Sequence, residues 1–482
     1  MITLMFPLHL SAIFHPKRIA LVADGERLTY RCYYQQAKKL ARLLSATYGL
    51  GAGKTVGILC RNHLLIALLL PALSRLGVHV RLLNTDMPAQ QQSVLLNKKY
   101  SLLVYDEEVK DRCLPNVLPC RAVSAELLRE QLMHENEEKQ GNKAKVRLPI
   151  MTPNATLSVF TGGSSGNYKE ASRQTGVFQF LPPFVALLRT VGIFRYRSIL
   201  IALPFYHGFG LCSFIVSLIL GKTICLQRHF DVPAVLNTIR QEQIEVLPVV
   251  PAMLARIWQQ PEAENCIHSL RCIISGGDHL DSSLSKITMQ RLGPILYNLY
   301  GTSEAGFMMM ATPKDLQQVN VDEEKSSTLI GRPICGVQCE VRQKDEKGVG
   351  TLWVRTGWSI TDRKHQWQCT GDLMSCDSRG CFHHHGRADR MVVCGGENVS
   401  LDGVEQVITS HPDICSCVVY PASDVRFGQV LHANVELASA SDLTVEELHK
   451  WLSVRLSRAE IPHQITFGSV EVLSTGKRKN NK

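Results

Sequence analysis

No stretch of this 482-residue chain is both apolar and long enough to cross a bilayer. The best candidate, Leu64–Leu73, is short and contains Pro71, so it reads as a buried helix. The opening MITLMFPLHLSAIFHPKR is apolar but lacks a basic n-region and a small-residue cleavage site, which argues against a signal peptide. Zinc-type cysteine pairs are missing too, since Cys415 and Cys417 form only C-x-C. The sixteen cysteines are scattered singly, which favours a reducing compartment, the cytoplasm, over a disulfide scaffold. Internal repeats and long low-complexity tracts are absent. A Walker A loop is absent as well: GLGAGKT (Gly49–Thr55) has Tyr48 where the first glycine is required, and it precedes a strand.

With 45% hydrophobic and 20% charged residues the chain can bury sizeable cores. Its net charge of +10, partly gathered in the tail Lys477–Lys482, suits polyanionic ligands, nucleic acid or an anionic membrane. No nucleic-acid reading module accompanies that charge, so we expect no nucleic-acid partner. Short β-branched runs alternate with amphipathic stretches. Thr55–Cys60, Ser101–Asp106, Ser198–Pro204, Lys222–Gln227, Val246–Pro251 and Arg271–Gly277 read as strands. That alternation predicts an α/β fold, with a large N-terminal domain of stacked mixed or parallel sheets and flanking helices. A polar loop, His134–Lys145, marks a subdomain break near 134–150. A small α+β domain is expected at the C-terminus, where Leu443–Ser457 is an amphipathic helix and Thr444 with Glu447 supplies its capping box. The domains are drawn at 1–388 and 389–482.

Four motifs carry chemistry. FTGGSSGNYK (Phe160–Lys169) follows an apolar strand. Gly162, Gly163 and Gly166 let backbone N–H groups approach phosphate oxygens, Thr161, Ser164 and Ser165 add hydroxyls, and Lys169 adds a charge. A plain Gly/Ser surface turn is the competing reading of that string. YGTSEAG (Tyr300–Gly306) follows a strand-like run, with a capped helix start as its alternative. TGD (Thr370–Asp372) and GRADR (Gly386–Arg390) form the third element, and TGK (Thr475–Lys477) the fourth. His383–His385 is not one metal site, because neighbours on a strand face opposite ways.

In this order, the motifs resemble the adenylate-forming superfamily of acyl-CoA synthetases, luciferases and peptide-synthetase adenylation domains. The resemblance implies that ATP and a carboxylate give acyl-AMP and pyrophosphate, with Mg²⁺, and that the acyl group then passes to a thiol, that of CoA or of a carrier protein's phosphopantetheine. It assigns Lys169 and the phosphate loop to the phosphates, Tyr300 to adenine, Thr302 to the α-phosphate and Glu304 to Mg²⁺. Asp372 falls to the ribose, Arg387 to the nucleotide, Asp389 to the hinge of a rotating small domain, Gly395 and Gly396 to the pantetheine tunnel, and Lys477 to the adenylation step. Glu170 departs from the pattern by setting a carboxylate next to the phosphate-loop lysine, and Tyr168 and Glu471 depart from it too.

ALPFYHGFGL (Ala202–Leu211) resembles the segment whose histidine, here His207, orients the substrate carboxylate. No acid lies among Phe205–Phe209 to pair with an α-ammonium, which argues for an apolar acid. Gly276 and Gly277 would form a pocket wall without side chains. A fatty acid is the expected substrate, with an aryl acid second. A degenerate relative that binds nucleotide or acyl ligands without turnover is a further alternative. Peripheral membrane contact through the apolar N-terminus stays open.

Overall fold

The computed structural model describes residues 3–470 apart from 88, 116, 117, 119, 135–155, 163–167, 175–180, 303, 319–326, 361–364, 395, 396, 425–427, 439, 440, 457 and 458. The chain divides into two compact units. One comprises Met1–Pro248, Asn265–Arg271 and Trp358–Lys364; the other comprises Val249–Glu264, Cys272–Gly357 and His365–Lys482.

The first unit opens with a helix, Met5–Phe14, and a hairpin of β1 (Ile19–Ala23) and β2 (Glu26–Thr29). A helix, Tyr30–Tyr48, leads to β3 (Thr55–Leu59). Then come β4 (His79–Leu82), β5 (Leu102–Tyr105) and β6 (Ala122–Ser124). A second hairpin joins β7 (Thr156–Gly162) to β8 (Tyr168–Gln174). Three further strands follow, β9 (Ser198–Ile201), β10 (Thr223–Leu226) and β11 (Val246–Val249).

These strands make two sheets. One runs β6-β5-β3-β4-β7-β8, parallel except for its terminal hairpin. In the other, β10 pairs in parallel with β1 and with β9, and β9 with β11. Central strands such as β9 and β11 are buried at every position, as expected of strands covered on both faces. Leu64–Leu76 is the buried helix read from sequence, with Pro71 inside it and Gly77 in the left-handed region ending it.

The second unit begins with parallel β12 (Cys272–Gly276) and β13 (Leu296–Thr302). An antiparallel run continues through β14 (Gly306–Ala311), β15 (Thr328–Pro333), β16 (Gln338–Arg342), β17 (Gly350–Arg355), β18 (Gln368–Cys376) and β19 (Phe382–Arg387). Its spatial order is β12-β13-β14-β15-β19-β18-β17-β16. The C-terminal part adds the ribbon β20 (Met391–Cys394) and β21 (Glu397–Ser400), then a helix, Leu401–Thr409. Strands β22 (Ile414–Asp424), β23 (Gly428–Leu437) and β24 (Gln464–Phe467) form a small mixed sheet. That part has its own apolar core, including Val404, Ile408, Val419, Leu431, Leu448 and Leu452. The expected capping box is present: Glu447 N–H donates to Thr444 Oγ1 at 3.2 Å, and Thr444 N–H donates to Glu447 Oε2 at 3.0 Å.

The α/β class, the sheets and the C-terminal α+β composition match the expectation from sequence. Among the described residues, no helix is long and apolar enough to cross a membrane.

Candidate active site

YGTSEAG closes the hairpin between β13 and β14 and starts no helix. Thr302 Oγ1 accepts the Ala305 N–H at 3.0 Å and so pins the turn. Glu304, in that turn, is half-buried and has no hydrogen-bond or ion-pair partner among the described residues. The Tyr300 ring packs against a cluster that contains Ala305, Met308 and Met309. Its hydroxyl donates to Asp372 Oδ2.

Asp372 lies on β18, directly across from Arg387 on β19. It is buried, yet it is surrounded by donors and cations. Arg387 Nη1 donates to Asp372 Oδ1 at 3.3 Å, and His384 Nε2 stands 3.8 Å from the same oxygen. Burial alone would raise the Asp372 pKa, but His384, the Tyr300 hydroxyl and Arg387 together hold it below the ordinary carboxylate range. The same pair has the opposite effect on the phenol: burial first, and then the Asp372 charge, push Tyr300 well above its usual value.

Arg387 divides its guanidinium. Nε and Nη2 grip Asp389 at 2.8 and 3.2 Å while Nη1 serves Asp372. Gly371 makes room for this. Its φ is +79°, and a Cβ there would stand 2.9 Å from Arg387 Nη2. Three residues past Arg387, Arg390 turns the other way, bonding Asp402, Glu405 (2.8 Å) and the Val419 carbonyl (3.2 Å). The three histidines are shared out as well. His383 faces Asp377 at 3.5 Å, His384 faces Asp372, and His385 Nε2 meets Ser375 Oγ at 2.8 Å.

In the first unit, His207 is the N-cap residue of the Gly208–Ile219 helix. Asn62 fixes the approach to it, donating to the Leu203 carbonyl at 2.8 Å and accepting the Phe205 N–H at 3.1 Å. Gly210 permits the tight turn, since a Cβ would lie 2.5 Å from the Leu203 and Pro204 carbonyl oxygens. The Tyr206 and His207 rings meet edge-on at 4.6 Å. The Tyr206 hydroxyl donates to Asp86 Oδ2 at 2.6 Å. The segment itself has no acid, as read from sequence, but the fold supplies one from 120 residues earlier. Asp86 is committed to Tyr206 and to Arg112 at 3.5 Å, so it offers no bare charge to an ammonium group.

Glu170 is accounted for in the same manner. Arg81 Nε donates to it at 2.9 Å and Lys98 Nζ at 2.7 Å, so two cations neutralise the carboxylate and keep it ionised despite partial burial. Thr161, Gly162 and Lys169 lie at the ends of the β7–β8 hairpin, with Thr161 paired to Lys169. Gly163, Ser164, Ser165, Gly166, Gly395, Gly396 and Lys477 lie outside the described residues, as do the side chains of Thr161 and Lys169. Gly276 ends β12 buried, and Gly277 follows with φ +85°, 3.6 Å from Val250 Cγ1 by its would-be Cβ.

Sequence reading missed one buried cluster. Cys60, His63 and Asp106 bring S, N and O donors within 4.8 Å of one another. The hydrogen bonds argue for a lock, with no metal. Leu65 N–H donates to His63 Nδ1 at 3.1 Å, so the ring proton sits on Nε2 and points at Asp106 Oδ1, 2.7 Å away. Asp106 also accepts Arg61 N–H at 2.8 Å.

The family model of the AMP-binding enzyme matches residues 10–360, and that of the AMP-binding enzyme C-terminal domain matches residues 403–479. A 2-succinylbenzoate–CoA ligase of Bacillus licheniformis is 26% identical over 461 residues, covering 94% of this chain and 93% of the relative. A feruloyl-CoA synthase of an Amycolatopsis species is 25% identical, covering 94% and 92%. The solved o-succinylbenzoate CoA synthetase of Bacillus subtilis, in complex with its acyl-adenylate intermediate, superposes with a TM-score of 0.81. It is 24% identical, with 98% of this chain and 96% of that one covered.

Proposed function

This chain belongs to the AMP-binding enzyme family, and from that premise we propose that it joins a carboxylic acid to CoA through an acyl-adenylate. ATP and CoA are the co-substrates and Mg²⁺ the metal. The observation that carries the nucleotide reading is the state of Asp372. An ionised carboxylate offers about four acceptor positions. Tyr300 and Arg387 occupy two and His384 stands 3.8 Å from Oδ1, and the remaining acceptor capacity suits a vicinal diol such as the ribose. Glu304, half-buried and without a partner among the described residues, fits a carboxylate that would hold Mg²⁺. When bound, that ion neutralises charge on the phosphate oxygens.

Asp372, Arg387 and Tyr300 hold the nucleoside end. His207, fixed by the Asn62 clamp and the Tyr206 ring, orients the acid. The carboxylate oxygen attacks the α-phosphorus of ATP and pyrophosphate leaves; Lys169 and Lys477 stabilise the charge that develops. The CoA thiolate then attacks the acyl carbonyl and AMP leaves. Between these steps the 389–482 domain turns about Asp389, and Gly395 and Gly396 line the path of the pantetheine arm. The domain division at 388/389 is part of this proposal.

For the substrate we reverse the order expected from sequence. The relatives named above act on aromatic acids, and none of them is named for a fatty acid. An aryl acid is therefore the first choice and a fatty acid the second. Transfer to a carrier protein is the alternative for the thiol. The absence of disulfides among the sixteen cysteines supports a reducing compartment, the cytoplasm.

The test is pyrophosphate release with ATP, Mg²⁺ and a panel of aromatic and fatty acids, with and without CoA, beside Lys477→Ala. The expected result is release with an aromatic acid, acyl-CoA when CoA is present, and loss of release in the variant. Acid-dependent release without acyl-CoA would favour a carrier protein. No acid-dependent release from a folded protein that binds ATP would overturn the ligase reading.

A further inference from the structure

The first helix, Met5–Phe14, is apolar on two sides. Met5, Leu8 and Ser11 point into the protein, whereas Leu10, Ile13 and Phe14 lie on the opposite stripe, 37%, 57% and 70% exposed. A surface helix ordinarily turns a polar face to water. The inward side packs on the turn after the Gly208–Ile219 helix, since a Cβ built on Gly221 would sit 3.2 Å from Ser11 Oγ.

The charges that follow this stripe along the chain are of one sign as far as Asp24. No acid precedes Asp24 in the chain. Arg18 donates to the Gly221 carbonyl at 3.3 Å, Lys17 is exposed beside it, and Arg31 N–H bonds the Pro16 carbonyl at 3.3 Å. The first acids along the chain are engaged elsewhere: Asp24 accepts Leu64 N–H at 2.9 Å, and Glu26 pairs with Arg129.

We propose that this face docks on an anionic lipid bilayer, with Leu10, Ile13 and Phe14 entering the interface and Lys17, Arg18 and Arg31 meeting the headgroups. Large exposed apolar patches mark interaction surfaces. The flank of Lys17, Arg18 and Arg31 selects an anionic partner, and aromatic and aliphatic tips followed by Lys and Arg are the pattern of an interfacial helix.

The test is flotation of the full chain with phosphatidylglycerol vesicles and with phosphatidylcholine vesicles, at low and high salt. Co-flotation with the anionic vesicles only, weakened by salt, is expected. The double substitution Ile13→Asp/Phe14→Asp should cut vesicle binding by roughly tenfold or more, with an unchanged melting curve. Lys17→Glu/Arg31→Glu should remove the preference for anionic lipid. Absence of flotation, or equal flotation of the Ile13/Phe14 variant, would overturn the proposal. So would a concentration-dependent dimer that this variant abolishes, since a second copy would then cover the face.

Discussion

Replacing Asp372 by Asn tests the nucleotide site most directly. The change keeps the shape and one acceptor oxygen but removes the charge that Arg387 and His384 surround. Two diol hydroxyls donating to a carboxylate contribute about 1.5–3 kcal/mol each when the acceptor is charged. The amide loses one such bond and weakens the other, together about 3–4 kcal/mol. That is roughly a 10²–10³-fold fall in kcat/KM for ATP. The assay is acid-dependent ATP–pyrophosphate exchange at varied ATP, with the acid saturating. The loss should fall on ATP, while KM for the acid stays near that of the parent. pH supplies a second arm. Because the folded pKa of Asp372 lies below its ordinary value, the ionised form persists from neutral pH down past the usual carboxylate range. Its contribution to stability is present above about pH 3.9 and is lost as pH falls through the lower folded value. An unchanged KM for ATP in a folded Asp372→Asn protein would refute the assignment.

Tyr206→Phe should cut the hold of Asp86 on the ring beside His207, lowering kcat/KM for the acid by about tenfold for one lost hydrogen bond to a charged group while sparing KM for ATP; steady-state kinetics with each substrate varied would check it. Asp106→Asn should destabilise the protein by about 1.5–3 kcal/mol in urea titration, because it removes the charge that accepts the His63 Nε2–H and the Arg61 N–H. Asp106 too is held below its usual range, by His63 and the Arg61 N–H against the effect of burial, so its contribution should likewise vanish only below about pH 4. Gly371→Ala should cost about 1–2 kcal/mol from its left-handed backbone alone and raise KM for ATP by shifting Arg387; melting curves and exchange kinetics would separate the two effects.

Much of the architecture could be read from local pattern. The apolar, β-branched runs became β3, β5, β9, β10, β11 and β12, shortened by one to three residues at the ends. The Thr444–Glu447 box closed as its spacing required. TGD and GRADR were legible as motifs, but their side-by-side register on β18 and β19 was not. Pairing across strands is decided by packing that no short window contains. The same limit hid Asp86 from Tyr206 and Arg81 and Lys98 from Glu170, partners 120, 89 and 72 residues apart. Glu170 looked like a fault next to Lys169 because only its sequence neighbour was visible. YGTSEAG was open to a helix start because Thr302 capping Ala305 N–H resembles an N-cap in sequence; the β14 partner strand decides for the hairpin.

One planar group, the Arg387 guanidinium, touches the carboxylate that would receive a nucleotide and the carboxylate at which the chain would pivot. Its three nitrogens are fixed in one plane, so a tilt that improves one contact disturbs the other. Occupancy of Asp372 and the backbone angle at Asp389 are then a linked pair of variables. By thermodynamic reciprocity, whatever free energy a bound nucleoside contributes to one orientation of the pivot, that orientation returns as affinity for the nucleoside. Lysine at 387 could keep either contact and lose the linkage.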